Sequence, residues 1–316
     1  MTDGQKLLRE HFLEPEVRGG VPVSAELKAA WKVMLDLLEI LIRVCKKYDL
    51  KYSMDGGSLL GAIRHKGFIP WDDDVDVAMP RTDYDELQRV LPAELPEGVF
   101  LQSSESDPEC CSTHLKLRNS NTTAIDPYHA HTHVRMNMGI FVDIFPIDPD
   151  PEDPVVRRSL FKRVTFLRGV RRNRFLHELN SLGDYVRKIL GWVIYSAIGN
   201  RRLFLLREQP YSKLAARGGF RYCATLPAQL DYGERNHRET SWFDEYEEVP
   251  FEYLNVAVPK HYSLILNQIY GADWQTPKRC GAYHGELILD TKRGYQEILI
   301  EKFGYRRSDF DSKVKG

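Results

Sequence analysis

The sequence predicts an α+β protein: a mixed β-sheet flanked by helices, with a basic helical insertion or subdomain. Three observations carry this. From Ser24 to Phe145 the periodicity reads helix, strand, helix, strand, helix and then three strands, an order suited to a mixed sheet covered by helices. The first of those helices is long and cleanly amphipathic. Charge is uneven: Val155–Pro210 holds thirteen Lys/Arg and three Asp/Glu, a net of +10, whereas the remainder carries −11. That asymmetry divides the chain into 1–150, rich in turns and carboxylates, 151–235, basic and mostly helical, and 236–316, acidic and aromatic.

The elements follow in order. Leu27, Trp31, Met34, Leu38, Leu41, Cys45 and Tyr48 recur at spacings of four and three, which predicts a helix over Ser24–Tyr48 with Ser24 as its N-cap. A short strand is expected at Tyr52–Asp55. Gly56-Gly57-Ser58 then turns the chain into a helix over Leu59–Arg64 that Ser58 can cap. Trp71–Met79 reads as a strand with carboxylates at its start, and Pro80 stops it. Thr82 is placed to cap a helix over Asp83–Leu91, with Asp85 three residues on. Further strands are expected at Val99–Ser103, His114–Leu117 and Ile140–Phe145.

Composition excludes several classes. A hydrophobic content of 42% supports a sizeable core, and 28% charged residues argue against a membrane-embedded or disordered chain. The net charge of −1 carries no nucleic-acid signature. The five cysteines (Cys45, Cys110, Cys111, Cys223, Cys280) include no CxxC pair, so neither a disulfide framework nor a four-cysteine zinc module is expected. The polar start does not read as a signal peptide, so none is expected, and no uncharged apolar run reaches the ~18 residues of a spanning helix. A cytoplasmic location is the expectation, with contact at the inner face of the membrane as one reading of the basic segment.

The chemistry concentrates in Met54–Val77. In a strand, alternate side chains share a face, so Asp74 and Asp76 project together while Val75 and Val77 enter the core. Two such carboxylates repel unless a cation lies between them, and a hard, oxygen-ligated ion such as Mg²⁺ (or Mn²⁺) fits. Gly57 and Ser58 open a helix sixteen residues before Asp74, and backbone N–H groups at a helix start suit a phosphate. Asp143, in the apolar run Gly139–Pro146, needs a compensating partner, which a metal shared with Asp74 and Asp76 would supply. Arg64, His65 and Lys66 are candidate phosphate or nucleotide contacts; their structural alternative is a basic helix end favoured by the dipole. Lys116 and Arg118 alternate on a predicted strand and are candidate substrate contacts.

Gly57-Ser58, Asp74-x-Asp76 and a later strand carboxylate resemble the pattern of the nucleotidyltransferase superfamily. The string Asp55–Val77 resembles the LicD family, which includes bacterial phosphorylcholine transferases and the fukutin group. The likeness continues in Val142–Pro146, Val258-Pro259, Tyr270–Trp274, Pro277 and His284-Gly285. It implies a nucleotidyltransferase-like core in 1–150 and a C-terminal portion, 236–316, that completes the active site. It also implies transfer of a phospho-alcohol, typically phosphocholine from CDP-choline, onto a cell-surface glycan such as lipopolysaccharide or teichoic acid, or onto a lipid-linked precursor; relatives use CDP-ribitol or CDP-glycerol. Asp74 and Asp76 would then hold metal on the donor pyrophosphate, and Asp143 would complete the site and accept the proton of the attacking hydroxyl. Gly57 and Ser58 would bind donor phosphate, and His284 matches a family site position.

Two rivals use the same residues: a nucleotidyltransferase acting on a nucleoside triphosphate, and an inactive glycan or membrane adaptor. Retention of all three aspartates argues against the adaptor. Two further features have competing readings. His129, His131 and His133 alternate and, with Cys110 and Cys111, form a zinc candidate of unrecognised spacing or a loop. The basic segment 155–210, with its apolar run Ile189–Ile198, suits either an anionic membrane surface or a helical subdomain packed on the core.

Overall fold

Ser24 caps the first long helix as its sequence predicts: its side-chain oxygen accepts from the Leu27 N–H at 3.2 Å. The structure, a computed structural model, describes residues 3–110, 112–172, 181–225, 237–278 and 287–310. Helix α1 (Asp3–Glu10) and the hairpin β1 (Glu16–Arg18) and β2 (Val21–Val23) precede α2 (Ala25–Lys47), whose stripe of Trp31, Met34, Leu38, Leu41 and Cys45 is fully buried. Then come β3 (Ser53–Met54), α3 (Gly56–His65), β4 (Asp76–Pro80), α4 (Arg81–Val90), β5 (Val99–Gln102), β6 (Leu115–Asn119), β7 (Thr123–Ile125), α5 (Pro127–His131) and β8 (Ile140–Pro149). Helices α6 (Pro154–Arg172), α7 (Leu182–Ile198) and α8 (Asn200–Ala215) form a helical lobe. The chain continues through β9 (Tyr222–Thr225), β10 (Arg238–Glu239), β11 (Tyr246–Phe251), β12 (Leu254–Pro259), α9 (Tyr262–Tyr270), β13 (Ile288–Asp290) and α10 (Tyr295–Phe303).

The main sheet is mixed, in the order β10-β9-β8-β4-β3, with β6 also paired to β8 and β5 to β6. Among the described residues only β4 and β8 run parallel within it; the other pairings are antiparallel. β8 organises this sheet because its ten residues meet three partners: β6 opposite 140–144, β4 opposite 143–147 and β9 opposite 147–149. Its last rung pairs Pro149 with Cys223, so the sheet crosses the sequence divisions at both 150 and 235. The expected α+β architecture is therefore observed.

Local differences have local causes. The strand expected from Trp71 begins only at Asp76. The Trp31 indole N–H donates to the Asp72 carbonyl at 2.8 Å and the Asp72 N–H turns back to the Ile69 carbonyl at 2.9 Å, so Asp72 joins no ladder; the first bond to β8 is the Asp143 N–H to the Val75 carbonyl at 2.8 Å. The helix expected at Leu59 begins at Gly56 after Asp55; Ser58 does not cap it, and its hydroxyl instead accepts the Asp76 N–H at 2.9 Å. The helix expected at Asp83 starts at Arg81, with no side-chain cap from Thr82.

A buried ion network ties the helical lobe to the sheet. Arg81 donates Nε and Nη2 to Asp148 at 2.6 and 2.8 Å and Nη1 to Glu208 of α8 at 2.6 Å. Arg207 lies against the same Glu208 and donates to the Thr113 carbonyl, just before β6. Among the described residues, no helix is long and apolar enough to cross a membrane.

Candidate active site

The site is built where the start of α3 meets the start of β4. Gly56 has φ +53°, the left-handed region that glycine enters most readily, and a Cβ there would stand 3.1 Å from Asp76 Oδ2. A Cβ on Gly57 would stand 3.1 Å from Asp72 Oδ2. Both glycines thus let carboxylates lie against the first turn of the helix. The Asp55 N–H, donated to the Asp76 carbonyl at 3.0 Å, fixes this turn on the strand.

Asp76 and Asp143 are partners in the parallel register of β4 and β8, so their side chains project from one face of the sheet. Their electrostatics differ. Burial pushes the Asp76 carboxyl well above its ordinary range, reinforced by the charges of Asp74, Asp143, Asp72 and Asp55. Burial pushes Asp143 the same way, but Lys116 Nζ at 2.5 Å and His114 Nε2 at 3.0 Å outweigh it and hold this carboxyl below the usual range. Among the described residues, no cation pairs with the Asp76 carboxylate.

Asp74 is buried beside them. Among the described residues it is Asp72, Asp73 and Asp74, rather than Asp74, Asp76 and Asp143, whose oxygens lie within 4.8 Å of one another. The donor set is all carboxylate oxygen, the chemistry of a hard divalent cation.

The other expected site residues separate. Gly57, Ser58 and Lys116 lie in the cluster. Arg118 is buried, donating Nε to Gln102 Oε1 and Nη1 to the Gly139 carbonyl, both at 2.6 Å, which makes it a brace between strands. Arg64, His65 and Lys66 sit at the far end of α3, ~14 Å along its axis from Gly56, and are not brought to the carboxylates. There Arg64 Nη1 donates to the Trp274 carbonyl at 3.0 Å and its Nε to His65 Nε2 at 2.9 Å, while Lys66 closes the helix at φ +55°. Burial, then the charges of Arg64 and Arg18, push His65 down to about 4. His284 lies outside the described residues. His129, His131 and His133 do not share a strand face: His129 and His131 are in α5, and His129 Nδ1 meets Asp126 at 2.9 Å. His131 packs on Phe303 and His133 on Tyr305.

Two residues escaped the sequence reading. His114 touches Asp143, and its place two residues before Lys116, in the strand the sequence predicts at His114–Leu117, was a usable signal. Arg238, which is 2% exposed, donates to Asp55 Oδ1 at 2.9 Å from 183 residues away, a contact that no spacing announces. A groove of about 720 Å³ lined by Trp192, Tyr195 and Arg201 lies on the helical lobe and includes none of the clustered aspartates.

The family model described as LicD/FKTN/FKRP, nucleotidyltransferase domain, matches residues 49–173, a span holding Gly57, Asp74, Asp76, Lys116 and Asp143. Fold, site and this match define an enzyme, a transferase of phosphorus-containing groups. The lipopolysaccharide cholinephosphotransferase LicD of Haemophilus influenzae is 34% identical over 252 residues, 78% of this chain and 90% of that protein. The ribitol 5-phosphate transferase FKRP of Homo sapiens and that of Mus musculus are each 33% identical over 63 residues, 20% of this chain and 13% of the relative. The chain belongs to the LicD family, as the Asp55–Val77 string implied.

Proposed function

We propose that this enzyme transfers a phospho-alcohol, phosphocholine first among candidates, from a CDP-activated donor to a sugar hydroxyl of a cell-surface glycan or its lipid-linked precursor. The observation that carries the reading is the facing pair Asp76 and Asp143 beside the Gly56-Gly57 turn. Similarity to a cholinephosphotransferase along most of the chain supports phosphocholine over ribitol phosphate, whose named relatives match only a short span.

The residues divide the work. Backbone N–H groups at the start of α3 would receive a donor phosphate. Asp74 and Asp76 would hold Mg²⁺ (or Mn²⁺), with Asp72 and Asp73 near enough to contribute; the support is the all-carboxylate donor set and the lack of a cation on Asp76 among the described residues. Bound there, the ion would neutralise charge on the donor pyrophosphate. The acceptor oxygen would form a bond to the phosphorus carrying the alcohol, the bridging P–O bond would break, and CMP would leave with its electron pair. Asp143, kept ionised by Lys116 and His114, would take the hydroxyl proton.

The test is a donor screen with the full chain and Mg²⁺, offering CDP-choline, CDP-ribitol, CDP-glycerol and the four nucleoside triphosphates separately, each with glycan acceptors. CMP release from one CDP-alcohol, abolished by EDTA and by Asp76→Asn, is expected. Pyrophosphate release from a triphosphate would replace the proposal with a nucleotidyltransferase. Silence from every CDP-alcohol would overturn it.

A further inference from the structure

Helix α7 is apolar on the face it buries and on the face it exposes. Gly191, Ile194, Tyr195 and Ile198 turn inward, the last three packing with Leu167, Val170 and Leu203. On the other side Leu182, Tyr185, Val186, Ile189, Leu190 and Val193 fall on one face at spacings of three and four. Leu182 is 81% exposed, Leu190 56% and the flanking Trp192 48%. Single exposed apolar side chains are ordinary; a continuous stripe ~16 Å long is not. On neighbouring α6, Phe161 and Phe166 are also exposed.

The exposed charges of this lobe that lack an opposite partner among the described residues are cations. Arg158, Lys162 and Arg202 are exposed and have no acidic partner among the described residues. Of the acids in the described part of 155–210, Asp184 is paired with Arg187 and Glu208 is buried against Arg81. Exposed Arg158, Lys162 and Arg202 on each of two copies would repel across a lobe-to-lobe contact, so a second copy is a poor occupant. An apolar, aromatic-flanked stripe on a lobe that carries exposed cations complements an anionic bilayer, with the apolar side chains at the acyl boundary and the cations at the headgroups.

We propose that α6 and α7 form a docking surface for an anionic lipid bilayer, holding the enzyme at a membrane while the carboxylate site stays in water. The test is flotation of the full chain with vesicles of phosphatidylcholine alone or with roughly one-third phosphatidylglycerol. Wild type is expected to float with the anionic vesicles and to be released by salt. Leu182→Glu/Val186→Glu/Leu190→Glu and, separately, Arg158→Glu/Lys162→Glu alter only exposed positions; each is expected to weaken binding about tenfold or more with circular dichroism unchanged. Absence of wild-type flotation, equal flotation of either variant, or equal binding to neutral vesicles would overturn the proposal. So would self-association that the triple variant abolishes, which would make a second copy the occupant. The readout is binding without turnover, so its failure leaves the catalytic reading untouched.

Discussion

Asp76 and Asp143 face each other across the parallel pairing of β4 with β8, yet among the described residues Asp143 alone of the two holds a cation, Lys116. Asp76 faces like charge. Asp76→Asn should therefore stabilise the metal-free protein by roughly 1 kcal/mol at neutral pH while abolishing turnover. The sign with pH follows. A carboxyl raised in the folded state above its ordinary 3.8 contributes stability below that value, and this is lost as pH rises through the folded value. Metal-free wild type should lose stability on that climb relative to the variant. Thermal melts from pH 4 upward, with EDTA and then with Mg²⁺, check this; Mg²⁺ should raise the wild-type midpoint and leave the variant's nearly unmoved. A metal-free Asp76→Asn less stable than wild type would count against repulsion at this site.

Gly56 combines a left-handed backbone with a carboxylate where a Cβ would stand. Gly56→Ala should cost about 1–2 kcal/mol from the backbone alone and displace Asp76 by a few tenths of an ångström. Turnover should fall more than stability does, because Asp76 is the group displaced. Parallel urea titration and steady-state rates separate the two effects.

Arg81→Met would leave Asp148 and Glu208 buried together without their shared cation. A loss of roughly 3–5 kcal/mol is expected by chemical denaturation, enough to cost much of the soluble yield. Adding Asp148→Asn to the variant should restore part of the loss, since Asp148 is the charge left stranded, whereas Glu208 keeps Arg207.

Cys45 and Cys223 should resist alkylation in the native protein. Burial pushes each thiol up to about 12, which leaves almost no reactive thiolate at neutral pH. Peptide mapping after iodoacetamide treatment, native against urea-unfolded, should find both labelled only in the unfolded sample.

What the sequence revealed depended on how local each interaction is. The α2 stripe is a local pattern, so Ser24–Tyr48 was legible almost to the residue. The Gly56-Gly57 turn, Asp76 and Asp143 were legible because their residue types are costly anywhere else. The start of β4 was not, because an indole from α2 takes the Asp72 carbonyl that a ladder would have used. For Arg64, His65 and Lys66, adjacency to the turn in sequence becomes a helix length of separation in space. The pairings of β13 with β7 and of Arg238 with Asp55 join segments more than 150 residues apart, and no periodicity encodes such partners.

The last rung of β8 has a consequence of its own. Pro149 and Cys223 lie opposite each other, so everything between them leaves the sheet and returns to it a single strand-spacing away. Geometrically the helical lobe is an insert in a hairpin: a tight turn could close the gap without moving Asp143, six residues upstream. Such an arrangement makes the lobe exchangeable. A lineage could swap the insert while Asp76 and Asp143 keep their register on β4 and β8.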